Sequence, residues 1–283
     1  MQIVVTAQDH PHCVAAITIV ANAEERARLT TWLKTMPDLP LVAEISVIEC
    51  DFDLLPSAPA IAAWPFLDLE PQLVLVLRPD PDSVGTILAL RRSGNAFGIK
   101  AQPILVRRTR EDNLLGQLAA SGPLNIPFGG ILRTAAIERV LDHKGDDRAI
   151  ELHEHYLSRA PTLGPGSTAA VVSWEDLSEN LRDANRASVE HAPILFKAVG
   201  LEKQDLAAIA PDVMDTLARI EHRRWIADRI DRGWRSGAVR DDDRLIHPNI
   251  IPFDALSEAD REKDKDAVRV LARILLGLAE TRG

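Results

Sequence analysis

Glu221-His222-Arg223-Arg224-Trp225, then Gly233-Trp234-Arg235-Ser236-Gly237, Arg240-Asp241 and His247-Pro248, decide how the C-terminal half is read. Two tryptophans nine residues apart stand among a carboxylate, a histidine and several arginines. Upstream, Pro211 opens a helix in which Val213, Leu217, Ile220 and Ala227 recur at the spacing of a single apolar face. Glu221 falls one turn from both Leu217 and Trp225, on that stripe. A carboxylate there is costly to bury unless it is paired. Arg186, Arg224, Arg240 and His222 are its available partners. Gly233, directly after Arg232, has the position of a helix-ending glycine. His247-Pro248 and Ile251-Pro252 read as extended, because the residue before a proline avoids the α region.

Further out, Ser173-Trp174-Glu175-Asp176 has the form of a capping box. The helix behind it carries Leu177, Leu181, Ala184, Ser188 and Ala192 at steps of three and four, with Asn185 and Arg186 at the edge of the stripe. Pro193 is expected to kink or end that helix. Ser257-Glu258-Ala259-Asp260 is a second cap, followed by a helix with Val268, Leu271, Leu275 and Leu278 inward. This half is therefore mostly α-helical, with an irregular Trp- and Pro-rich connection.

Asn185-Arg186, Glu221-His222 with Trp225, Gly233-Trp234 with Gly237, Arg240-Asp241 and His247-Pro248, in that order, resemble a ryanodine-receptor repeat (RyR) domain of bacterial chains. The resemblance runs from Trp174 to Leu271. It implies a small helical module. It also implies a link to adenine nucleotides, with which such a repeat is associated in ryanodine receptors. Bacterial copies carry a proposed role in sensing nucleotide-derived signals in conflict and defence systems. On that resemblance, the ligand-contacting residues are Asn185, Arg186, Glu221, His222, Trp225, Trp234, Arg240, Asp241 and His247.

The residue chemistry leaves several readings open. Trp225 and Trp234 would stack a base, which is worth about 1–3 kcal/mol per base, with arginines meeting phosphate. They would equally serve as helix-packing anchors. Glu221 and His222 would make an acid–base pair only if they converged, and helix neighbours point about 100° apart. Asp241-Asp242-Asp243 would suit a divalent cation or, more simply, a solvated loop. There is no GxSxG nucleophile motif and no P-loop. The expectation is a non-catalytic sensor of a nucleotide-derived small ligand, with no cofactor beyond an adenine-nucleotide-like ligand. A nucleotide- or NAD-processing enzyme, with Glu221 as acid or base, and a regulatory assembly protein without a ligand are the alternatives.

The N-terminal half alternates strand and helix. Cys13–Ala21, Leu41–Cys50, Gln72–Leu77 and Gln102–Val106 read as strands, and Glu24–Met36 and Ser83–Arg92 as helices. That order means a parallel sheet with crossover helices. The fold class is α/β, with a Rossmann-like domain over 1–160 and a helical domain over 161–283. Gln72–Val106 is similar to the second half of a TrkA-N-type Rossmann domain. The turn Val20-Ala21-Asn22-Ala23-Glu24-Glu25 holds no glycine, so the GxGxxG approach to a pyrophosphate is missing and dinucleotide binding is not expected. Ala135–Tyr156 reads as a helix with an exposed polar end at Glu151, His153, Glu154 and His155, whose spacing departs from HExxH. The Gly/Pro cluster Thr162–Ser167 reads as the linker.

Composition bounds the partners. The 283 residues are 46% hydrophobic and 27% charged, which allows sizeable cores. The net charge of -9 gives no field to attract a nucleic-acid polymer. Cys13 and Cys50, the two cysteines, read as buried thiols and show no zinc spacing. No apolar run approaches the roughly 20 residues of a membrane span, and no signal-peptide pattern opens the chain. The expectation is a cytoplasmic protein, with no membrane partner and an open sheet edge suited to a homodimer.

Overall fold

The structure is a computed structural model; it describes residues 15–49, 74–76, 104–108, 125–129, 146–159 and 170–277. The helix expected over Ser83–Arg92, the linker Thr162–Ser167, Cys13, Cys50 and Leu278 lie outside the described residues. The chain divides into two compact units, one of residues 1–17, 31–46 and 143–283, the other of residues 18–30 and 47–142.

The N-terminal strands fall where the apolar runs place them. β1 (Ala15–Ala21) is followed by α1 (Ala23–Leu33) and pairs with β2 (Ala43–Glu49). β3 (Val74–Val76), β4 (Ile104–Arg108) and β5 (Asn125–Gly129) form a parallel sheet with β4 in the middle, Val74 opposite Ile104 and Ile104 opposite Asn125. β5 had no strand signal in the sequence. Its Pro127 cannot donate to a ladder, and the position of β5 beside β4 alone, among the described strands, accommodates it. The glycine-free turn before α1 closes on itself. The Glu25 N–H donates to Asn22 Oδ1 (2.8 Å) and the Asn22 N–H to Glu25 Oε2 (3.2 Å), a reciprocal capping box. A carboxylate thus occupies the end of α1 where a dinucleotide fold seats phosphate.

The helical unit contains α2 (Asp147–Arg159), α3 (Glu179–Ala198), α4 (Pro211–Asp231) and α5 (Glu258–Leu276), with short 3-10 turns at Lys203–Ala207 and Phe253–Ala255. Two-residue strands β6 (Arg235–Ser236) and β7 (Ile246–His247) pair in parallel between α4 and α5. α5 packs against α2, α3 and α4. Leu195, Leu217, Ile250, Val268 and Leu271 are fully buried there. Each such side chain contributes about 1.5–3 kcal/mol. Leu39 and Val42, from a 3-10 turn at Leu39–Leu41 and the residue after it, belong to the same core. The compact unit that holds the helices therefore also takes in residues 31–46.

Three local expectations are corrected. Ser173 and Asp176 do bond to each other (Ser173 Oγ to Asp176 Oδ2, 2.9 Å), but they close a turn, and α3 starts at Glu179 behind Ser178. Pro193 sits inside α3 rather than ending it. The proline ring is solvent-exposed while the flanking Ala192 and Leu195 are buried, so packing on the inner face holds the helix together through the missing N–H. His153 is buried rather than on an exposed helix end, with Nε2 2.8 Å from the Val172 carbonyl.

Candidate functional site

α4 is buried on most of its circumference, so its polar side chains need partners within the protein. Its C-terminus fixes the tryptophans. Gly233 has φ +86°, a left-handed conformation that favours glycine. Its N–H donates to the Ile230 carbonyl (3.0 Å) and the Trp234 N–H to the Arg229 carbonyl (2.9 Å). This is a Schellman closure, which folds the residue after the glycine back on the last turn. Trp234 consequently meets Arg229, whose guanidinium lies 5.7 Å from the indole centroid. Arg229 is also one turn from Trp225, at 5.6 Å.

The connection beyond Gly233 brings a histidine to the same place. The Ser236 N–H donates to Asp38 Oδ2 (2.8 Å), which anchors β6. At Gly237 an added Cβ would lie 2.4 Å from Ile246 Cγ2, so β6 and β7 approach this closely only with glycine there. The acidic loop is internally bonded. Asp241 Oδ1 accepts from the Arg244 N–H (3.0 Å), and Arg240 Nε donates to Asp242 Oδ1 (2.6 Å). β7 then presents His247 to Trp225 (4.9 Å) and Trp234 (6.0 Å). The Arg240 guanidinium lies 5.8 Å from the Trp234 centroid. Trp225, Trp234, Arg229, Arg240 and His247 form one aromatic and cationic cluster. Burial lowers the His247 pKa to about 4, reinforced by the charges of Arg240 and Arg229 against Asp242 and Asp260. The ring is neutral at pH 7.

Glu221 and His222 point to different neighbours. Glu221 is 4% exposed and accepts from Arg224 Nε (2.9 Å) and Nη2 (2.8 Å) and from Ser188 Oγ (2.9 Å). Of the four candidate partners, Arg224 is the one that pairs with it. Burial pushes the Arg224 pKa down, but the Glu221 carboxylate outweighs it and the net direction is up. His191, fully buried on α3, has Nδ1 4.0 Å from Glu221 Oε2, and burial lowers its pKa. His222 instead stacks on Trp225 (5.7 Å). Its Nε2 donates to the Ile251 carbonyl (2.9 Å), since a carbonyl only accepts, and its Nδ1 lies 3.1 Å from Asp264 Oδ2. Burial pushes the Asp264 carboxyl up.

Asn185 and Arg186 are engaged elsewhere. Asn185 Nδ2 donates to the Leu181 carbonyl (2.9 Å). Arg186 makes a forked contact with Asp146 (2.7 and 2.8 Å), bonds to Asp183 and Glu179, and lies over Trp174. The Asp146 carboxylate, with lesser help from the other two, raises its pKa. Trp225, Trp234, Arg240 and His247 are thus brought together, with Asp241 beside them. Glu221 lies away from the cluster, and His222 adjoins it through its stack on Trp225. Arg229 had a sequence signal, four residues from Trp225 and five from Trp234. Ser188, Asp264 and Asp38 had none. A cavity of about 210 Å³ touches Trp234, between Met36, Pro37 and Asp38 on one side and Ile230 and Arg235 on the other. It is smaller than the roughly 300–1,000 Å³ of typical ligand pockets.

Residues 197–280 match the family model for the RyR domain. The match begins after Asn185 and Arg186 and includes α4, both tryptophans of the cluster, β6, β7 and α5.

Proposed function

We propose that the RyR domain at residues 197–280 makes this chain a non-catalytic binding protein for a small nucleotide-derived ligand, received at Trp234. One observation carries the reading: the half-buried Trp234 indole borders a cavity and has the guanidinium groups of Arg229 and Arg240, which do not line that cavity, 5.7 and 5.8 Å from its centroid. Aromatic faces bind bases and guanidinium groups bind phosphate. Glu221 gives the enzymatic alternative little support, since Arg224 and Ser188 take up its carboxylate. The N-terminal α/β half, on its resemblance to TrkA-N domains, would relay or oligomerise, and a bacterial signalling or defence setting fits such a sensor.

Calorimetry of the full chain against adenine nucleotides, ADP-ribose and cyclic oligonucleotides tests this. The full chain is needed because Leu39 and Val42 belong to the helical core. The expected result is binding that Trp234→Ala weakens about tenfold or more. No binding at millimolar ligand, or binding indifferent to Trp234, overturns it. A second reading, an assembly protein without a ligand, is favoured by the packing of Trp225 against the core and by the paired Arg186 and Arg224.

A further inference from the structure

Arg229 is a buried cation whose Nε has no hydrogen-bond acceptor. It is 9% exposed, and buried charges are ordinarily paired. Its carboxylate contact is Asp228, with Nε and Oδ2 4.0 Å apart, and neither atom has a hydrogen-bond partner among the described residues. Asp228 Oδ1 already accepts from Arg232 Nε (3.0 Å). The indoles of Trp225 and Trp234 support the guanidinium through their π faces. They offer no acceptor to its in-plane N–H groups.

His247 shows the same deficit. Its Nδ1 lies 3.1 Å from the Asn249 N–H, and its Nε2 lies 3.3 Å from Arg240 Nη1. Both neighbours are donors. A neutral imidazole carries one N–H, so whichever nitrogen holds the proton, one donor faces another. The backbone contact is the shorter, which puts the proton on Nε2, opposite Arg240. Asp242 accepts from Arg240 Nε (2.6 Å) and Nη2 (3.4 Å) and neutralises part of its charge, but Nη1 still points at the ring. Arg229 and Arg240 also repel each other electrostatically. A negatively charged acceptor would relieve both the unmet donors and the repulsion, and a neutral one only the first.

We infer that Arg229, Arg240 and His247 form the seat for an oxyanion, a phosphate or carboxylate group, bound against the tryptophans. The seat rests on the reading of this cluster as a ligand site and names the group it holds. Arg229 is its specificity-determining member. Charge-assisted bonds from guanidinium to oxyanion are the strongest available here, and arginine supplies them in a planar fork.

The test uses the full chain in chloride at fixed ionic strength, with inorganic phosphate, sulfate, acetate, AMP and adenosine as probes. Calorimetry and thermal melting are the readouts. The wild type should bind phosphate and melt at a higher temperature in its presence. Phosphate tighter than acetate assigns the seat to phosphate, and the reverse assigns it to a carboxylate. Arg229→Met should melt no lower than the wild type in chloride, because an unpaired buried charge is gone, and its affinity for phosphate should fall about tenfold or more. An arginine with only a packing role would instead lower the melting temperature and leave phosphate binding intact. If Arg229→Met does not fold, the exposed Arg240→Gln carries the same expectation for phosphate. Wild-type phosphate affinity in these variants, or no oxyanion binding by the wild type at tens of millimolar, overturns the seat. AMP binding untouched by both variants would remove the seat and keep the nucleotide reading. AMP binding no tighter than phosphate would keep the seat and remove the nucleotide reading.

Discussion

Two arginines five residues apart on α4 meet opposite fates. Arg224 is buried against Glu221, which also holds Ser188, and the carboxylate outweighs the cost of burial. Arg229, one turn and a half further on, is buried between two indoles with Nε unbonded, and burial lowers its pKa despite Asp228. The residue type and the helix are the same. What differs is whether the nearby carboxylate is close enough to hydrogen-bond the guanidinium: Glu221 is, and Asp228, 4.0 Å from Arg229 Nε, is not. A cation completed by its own chain is architecture; one left incomplete in a cluster of aromatic rings has room in its chemistry for something from outside.

Removing the carboxylate from Arg224 tests its half of the contrast. Glu221→Ala leaves Arg224 buried without its carboxylate and should cost about 3–5 kcal/mol, read by urea unfolding. A loss under about 1 kcal/mol would show that the pair is exchangeable with water and erase the contrast. Gly237→Ala comes next, because its Cβ would meet Ile246 at 2.4 Å. It should destabilise by about 1–3 kcal/mol and, by shifting β7 and His247, weaken ligand binding as well. Unchanged binding in that variant would detach His247 from the site.

The smallest expected effect is on pH dependence. The folded-state pKa of His247 is depressed to about 4, mainly by burial, and that of His191 is also lowered by burial. Below the unfolded value of about 6.5, the unfolded chain takes up protons that the folded state refuses. These two groups therefore contribute nothing unfavourable above about pH 6.5, and stability falls as pH drops from there toward about 4. Asp264 works the other way, since its raised pKa favours the protonated folded state as pH falls. His247→Gln should make the decline between about pH 6.5 and 4 shallower in denaturant titrations. An identical slope would mean that the ring titrates freely.

The sequence made the helical half legible wherever one residue type dictates a local geometry. Pro211 opening α4, Gly233 closing it and Ser257 capping α5 all appear as expected, the last with Ser257 Oγ accepting from the Asp260 N–H. The apolar runs of β1 to β4 were equally plain. Pro193 misled because packing on the inner face of α3 overrides a local break. Ser173 misled because a capping pattern also closes a turn. At the site, Trp225, Trp234, Arg240 and His247 were legible together because Gly233 and Gly237 force the chain back on itself. Asp38 was not, since it comes from nearly two hundred residues away to hold Ser236. Nor was the sorting of Glu221 and His222 to different faces into specific partners, which depends on where α3 and α5 lie.

The most direct measurement is a crystal structure of the full chain soaked with AMP. The account predicts density at Trp234, with phosphate oxygens within hydrogen-bonding distance of the Arg229 guanidinium and Arg240 Nη1. An unoccupied Trp234 cluster at saturating AMP, or density with Arg229 still unbonded, would contradict it.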